Sequence, residues 1–212
     1  MFRIMVALCL SVLVYSGAGC DNDKGAEAKP TISSVTVTLR FSGPRYAGSF
    51  YSGFLPATDH AVWIEDAEGQ YVKTLGISKS VVSVGDYPHL DHLPTWMAKS
   101  GTAYEALQAE TEEGVAPSFD AVSGASVYFL GAVTDSTLVF EWDLTDKAGN
   151  RVSEENFRFC AEVANITKDE ATSYQINSET TCGLMDLKEQ SATLADPTEH
   201  ILALSAEYGY AE

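Results

Sequence analysis

Positive charge is scarce in this chain: 13 Lys and Arg stand against 30 Asp and Glu, a formal net charge of −17. A balance that acidic argues against general nucleic-acid binding, which needs a basic footprint. It argues equally against a polybasic hold on anionic lipid. Several catalytic signatures are missing. There is no G-x-S-x-G elbow, no phosphate-cradling P-loop and no G-x-G-x-x-G fingerprint, so the usual sequence marks of a serine hydrolase, an NTPase or a dinucleotide enzyme are not found. No apolar run reaches the about eighteen residues that mark a spanning helix. What is present is core material. The chain has 212 residues, 45% of them hydrophobic, with 10 Tyr, 9 Phe and 3 Trp. That composition predicts one well-packed domain and argues against global disorder.

The first residues read as an export signal. Met1-Phe2-Arg3 is a short positive segment, Ile4 through Tyr15 is apolar and uncharged, and Ser16-Gly17-Ala18-Gly19 leads into Cys20. The apolar run is too short to span a bilayer but suits a signal h-region. Small residues ending in Cys resemble a lipobox, which implies a diacylated Cys20 as the mature N-terminus. The alternative is an ordinary signal peptide beside a free Cys. Two or three acyl chains on one residue make a stable membrane anchor. The expected division is a signal at 1–19, lipidated Cys20 and a flexible tether through residue 33, and one folded domain over 34–212. The expected location is a bacterial cell envelope, facing the periplasm, with inner or outer membrane left open.

Cysteine is sparse too: four residues in all. Cys9 leaves with the signal and Cys20 takes lipid. Cys160 and Cys182 remain as an even pair in an oxidising compartment, which predicts a disulfide. Such a bond would contribute roughly 3 kcal/mol in loop-entropy terms. Two unpaired structural thiols are the alternative.

Strand patterns dominate the rest. Ser34–Phe41 alternates, with Val35, Val37, Leu39 and Phe41 on one face. His60–Glu65 and Gln70–Ile77, separated by Asp66-Ala67-Glu68-Gly69, read as a hairpin. Residues 42–59, rich in Gly, Ser, Pro and Tyr, read as a long loop. Between residues 89 and 109, Leu90, Leu93, Trp96, Met97, Tyr104 and Leu107 fit helical spacing, and Pro94 and Gly101 divide it into two short helices. Further strands are expected at Thr137–Trp142, Phe157–Val163, 171–177 and 199–208. The expected fold is an all-β, Ig-like antiparallel β-sandwich with a short helical insertion.

Three stretches taken together carry a family resemblance. They are Ala61 to Leu75 (AVWIEDAEGQYVKTL), Asp120 to Ser126 (DAVSGAS) and Trp142 to Val152 (WDLTDKAGNRV), with Trp96…Lys99-Ser100-Gly101 fitting the same order. They resemble the DUF2271 family of predicted periplasmic proteins. The third stretch is also similar to the Ig-like module of flagellar hook-capping proteins, where it forms a hairpin turn. Independently of any family, Asp143 and Asp146 can accept backbone N–H bonds, Gly149 supplies a left-handed position, and Trp142 is expected in the core. Two carboxylates fall short of the oxygens that calcium wants.

The second stretch carries the chemistry. It resembles the D-x-x-[ST]-G-A-[ST] sequence at which bacterial flavin transferases join FMN to a hydroxyl through a phosphodiester. The resemblance implies Ser126 as the acceptor hydroxyl. Gly124 and Ala125 are then the small neighbours that allow close approach, and Asp120 and Ser123 the recognition residues. Five constrained positions of this kind arise by chance in about one chain in a thousand of this length. A structural turn entering a strand at Val127-Tyr128-Phe129-Leu130 is the competing reading. The His89-x-x-His92 pair with Asp86 and Asp91 could in principle hold a metal, but reads more simply as turn and capping residues. No residues point to catalysis by the domain itself. Two functions follow. One is a covalent FMN carrier exchanging electrons with membrane redox proteins, loaded by a flavin transferase. The other is a non-enzymatic envelope binding or scaffolding module using the loop at 42–59.

Overall fold

In the computed structural model the described residues are 29–43, 57–82, 90–102, 127–128, 135–168 and 174–211. Residues Thr31–Glu212 form one compact unit. Its described strands are β1 (Ile32–Ser42), β2 (Ala57–Asp66), β3 (Tyr71–Ile77), β4 (Val127–Tyr128), β5 (Asp135–Trp142), β6 (Asn156–Lys168), β7 (Tyr174–Asp186), β8 (Ser191–Thr193) and β9 (Ile201–Tyr210). Helical pieces are short: α1 (Lys79–Val82), a 3-10 turn at Leu90–His92, and α2 (Pro94–Ser100).

The strands form two antiparallel sheets. The smaller has the order β5-β1-β9, the larger β3-β2-β6-β7-β8. β4 pairs with Ala57 and Thr58 of β2. Because β6 already occupies the other side of those two residues, β4 lies on the β3 side of β2. The two sheets face one another, giving the expected β-sandwich with a short helical insertion.

Period-two patterning explains the inner interface. In β1, Val35, Val37, Leu39 and Phe41 are fully buried, while Thr36, Thr38 and Arg40 point away. They meet Val62 and Ile64 of β2, Phe157, Phe159, Ala161 and Val163 of β6, and Trp142 at the end of β5. The Trp142 ring meets Phe157 edge-on at 4.9 Å, and its Nε1 donates to the Thr145 carbonyl at 2.8 Å. A buried indole needs such a partner.

The larger sheet is covered on its outer face as well. Ala61 and Trp63 of β2, Cys160 and Ala164 of β6, and Ile77 form a second cluster with Val81, Val82, Leu90, Leu93 and Trp96. The helical insertion is therefore the lid of a second apolar layer. This accounts for β2, where every residue from Thr58 to Glu65 is buried.

Two expectations need correction. β2 starts at Ala57, not His60, because Thr58 and Asp59 continue the ladder with β6. The Asp143–Val152 turn forms, with Thr145 bridged to Arg151, but it does not close a two-stranded hairpin. Its flanking strands, β5 and β6, belong to different sheets, so the turn carries the chain across the sandwich. Asp143 accepts from the Thr145 N–H and hydroxyl, and Asp146 accepts from the Ala148 and Asn150 N–H groups. Gly149 has φ +83°, the left-handed value that favours glycine. These bonds, with Lys73 beside Asp143 at 3.0 Å, hold the carboxyl groups of both Asp residues below their ordinary range.

Candidate functional site

Buried polar side chains concentrate on the larger sheet, around β2 and β6. Thr58 Oγ1 donates to Asn165 Oδ1 at 2.6 Å. Asn165 is buried, and its Nδ2 has no hydrogen-bond partner among the described residues. The Ser78 hydroxyl lies 2.9 Å from His60 Nδ1 and accepts the His60 backbone N–H at 2.9 Å. That set is complete when the hydroxyl donates to Nδ1 and the ring proton sits on Nε2. The His60 ring faces inward, 6.0 Å from Phe41 and 6.2 Å from Phe140. Burial lowers its pKa to about 4, against the opposing charge of Asp59. His60 is thus neutral at pH 7.

Asp59, one residue away, points to the other face. Its Oδ2 lies 2.7 Å from His92 Nδ1, with only 1% and 10% of the two side chains exposed. This pair ties the 3-10 turn to β2, and it sets an imidazole against a buried carboxylate, an arrangement able to hold and orient a proton.

Two further buried carboxylates hold the insertion. Leu93 precedes α2 and supplies no side-chain cap. Glu162 of β6 replaces it. The Thr95 and Trp96 N–H groups donate to its two oxygens at 3.1 and 2.7 Å, and the Ser178 hydroxyl donates as well. A carboxylate facing free N–H groups is a strong, charge-assisted arrangement. Glu65 Oε1 accepts from Trp63 Nε1 at 3.0 Å and meets Lys99 Nζ at 3.1 Å, while Arg158 stands 3.5 Å from Oε2.

Cys160 and Cys182 are joined, Sγ to Sγ at 2.06 Å, across directly opposed positions of β6 and β7. Asp120, Ser123, Gly124, Ala125 and Ser126 lie outside the described residues, as do Cys20, Asp86 and His89. Val127, the residue after Ser126, pairs with Thr58. The stretch that resembles a flavin-attachment sequence is thus followed in the chain by the strand that pairs with Ala57 and Thr58. Asp91 is exposed and His92 buried, so these neighbours do not act together.

A second set of potential metal donors, Glu179, Glu199 and His200, converges within 4.8 Å. Glu179 Oε2 already accepts from the Thr198 hydroxyl and the His200 N–H, which commits that oxygen to the turn before β9.

Sequence reasoning missed Asp59, Glu65 and Glu162 as buried groups. One signal was available for Glu65. In His60–Glu65, apolar residues fall on both faces, Val62 and Ile64 on one and Ala61 and Trp63 on the other, which marks a strand covered twice. No protein-family model, curated protein or solved structure matches the chain.

Proposed function

We propose that this protein is a lipid-anchored, extracytoplasmic β-sandwich that carries FMN covalently on Ser126 and takes part in electron transfer in the bacterial envelope. The observation that carries the reading is the Asp120-x-x-Ser123-Gly124-Ala125-Ser126 string joined without a gap to β4. Two features of the surroundings support it. Val127, the next residue in the chain, belongs to β4, which pairs with the Ala57 end of β2 on its β3 side. Nearby, Asn165 Nδ2 is a buried donor without a partner among the described residues, and a polar group such as a flavin carbonyl or phosphate would satisfy it. FMN supplies one- and two-electron transfer when attached. The chain's own part is to present the hydroxyl and to fix the adjoining strand. The segment through Cys20 would hold the carrier at the membrane, and a flavin transferase and membrane redox proteins are its implied partners.

The test is co-expression with a flavin transferase and magnesium. Intact protein should gain the mass of FMN joined through a phosphodiester, and the denatured band should fluoresce as flavin. Ser126→Ala should lose both signals. An unmodified wild-type mass under these conditions rejects the carrier reading.

A further inference from the structure

We propose that Cys160–Cys182 is a redox-active disulfide, opened by a dithiol through attack on Cys182, with Glu65 as the buried acid–base group beside it. This goes beyond the flavin reading and does not depend on it.

The first observation is an asymmetry between the sulfurs. Cys160 is fully buried and Cys182 only partly so. Cys160 lies between Trp63 on β2 and Cys182 on β7, its register partners on either side. Cys182 has β6 on one side only. β8 pairs with β7 from Leu184 to Asp186, so among the described residues Cys182 has no ladder partner on its far side. Exchange requires a thiolate to approach along the S–S axis, opposite the leaving sulfur. Thr181 and Gly183, on either side of Cys182, are approached by the 193–196 segment, but Cys182 itself keeps partial exposure while Cys160 has none, so attack falls on Cys182 and Cys160 is the leaving group.

The second observation is Glu65. Its side chain is 2% exposed, and its Oε2 has no hydrogen-bond partner among the described residues. A carboxylate oxygen of Glu65 and the two Sγ atoms lie within 4.8 Å of one another. Glu65 holds Trp63 and Lys99 through Oε1 and faces Arg158 with Oε2, and the same carboxylate stands against the bond. A sulfur that becomes a thiolate inside the protein does need a proton or a charge partner. The charged groups that face Glu65 are Lys99 from α2 and Arg158 from β6. Gly69, in the turn between β2 and β3, lies against all three, and its carbonyl accepts from Lys99 Nζ at 2.8 Å. Two cations against one carboxylate leave the neighbourhood net positive, which eases the arrival of negative charge on the leaving sulfur before it is protonated.

The step balances. One thiolate of the dithiol forms a bond to Cys182 Sγ as the Cys160–Cys182 bond breaks. The electron pair goes to Cys160, and a proton taken up from solvent and relayed through the Glu65 carboxylate neutralises it. The second thiol of the reductant then loses its proton and attacks its own sulfur in the mixed disulfide. Cys182 leaves and is protonated from solvent. The dithiol is oxidised to a disulfide, and the protein gains two thiols.

The experiment uses the full chain in its oxidised form with dithiothreitol, quenched by an alkylating reagent and counted by intact mass. It is run across pH 6 to 9, with and without urea below the unfolding transition. The expected result is reduction in the folded state, first order in dithiothreitol and unchanged by low urea. Glu65→Gln keeps an acceptor for Trp63 and should slow reduction about tenfold at pH 7. It should also leave a pH profile set by dithiothreitol ionisation alone. The proposal is overturned if the wild-type rate climbs with urea in step with unfolding, a measurement that holds even if the variant fails to fold. A folded Glu65→Gln protein reduced at the wild-type rate with the wild-type profile overturns it as well.

Discussion

On its inner face the larger sheet meets the smaller one through Val62, Ile64, Phe157, Phe159 and Met185, and the opposing side chains are almost all apolar. On its outer face the same strands carry Asp59, Glu65 and Glu162, each buried and each bonded to the helical insertion: to His92, to Lys99, and to the N–H groups of Thr95 and Trp96. Burial is equally deep on both sides, yet the means differ. The inner layer is held by apolar area, which is non-directional. The outer layer adds directional, charge-assisted bonds that fix where a very short helix docks. A seven-residue helix has no independent stability in water, so its position must come from its partners.

That contrast predicts different responses to truncation. Phe159 is fully buried in the inner layer, and Phe159→Ala should lower global stability by about 3–5 kcal/mol, read as a shift in urea midpoint at constant m. Trp96 is as well buried, but its layer can open locally. Trp96→Ala should lower global stability less, while amide protection in α2 collapses. Equal losses for the two variants, with α2 protection unchanged relative to the sheets, would mean that the two layers unfold as one.

His60 is the exception on the inner face, and it sharpens the contrast through pH. Its unfolded value is 6.5 and its folded value about 4. Above pH 6.5 neither state carries the proton, and stability is unaffected. Between 6.5 and about 4 the unfolded chain binds a proton that the folded chain does not, so stability falls as pH falls. Below about 4 both states are protonated and no further loss arises. The full difference is about 3 kcal/mol. His60→Gln should flatten this part of the urea-midpoint profile, and the His60 ring resonances should show no titration between pH 7 and 5. A ring that titrates near 6.5 in the folded protein would remove the argument.

The inner layer was legible in the sequence because alternation in Ser34–Phe41 and the apolar runs at 60–65 and 157–163 state it locally. The disulfide partners followed from cysteine parity. The outer layer was not legible. Glu162 caps α2 from 66 or more residues away, and nothing in Leu93-Pro94-Thr95 announces that its acceptor is on another element. Asp59 read as a loop residue because it ends the Gly-, Ser-, Pro- and Tyr-rich stretch 42–59. Here the 3-10 turn covers it. Likewise, the Asp143–Val152 turn was visible, but its role in switching sheets was not, because local bonds do not encode which strands its ends will join.

The cap at Glu162 gives the smallest of these effects and the most specific. Glu162→Gln keeps the side chain's shape but replaces one acceptor oxygen with an amide NH2. Three donors, the two N–H groups and the Ser178 hydroxyl, then face one acceptor, and at least one N–H is left unsatisfied next to a donor. The expected loss is about 1–3 kcal/mol, concentrated in the insertion. Hydrogen exchange should therefore speed up at Trp96 through Ser100 while β1, β5 and β9 keep their protection. An aspartate at 162 should not rescue it, since the shorter side chain withdraws both oxygens from the helix end. If exchange in α2 is unchanged in the glutamine variant, the apolar contacts of Trp96 and Leu93 alone hold the helix in place. The outer layer would then be a second hydrophobic core of the same kind as the first.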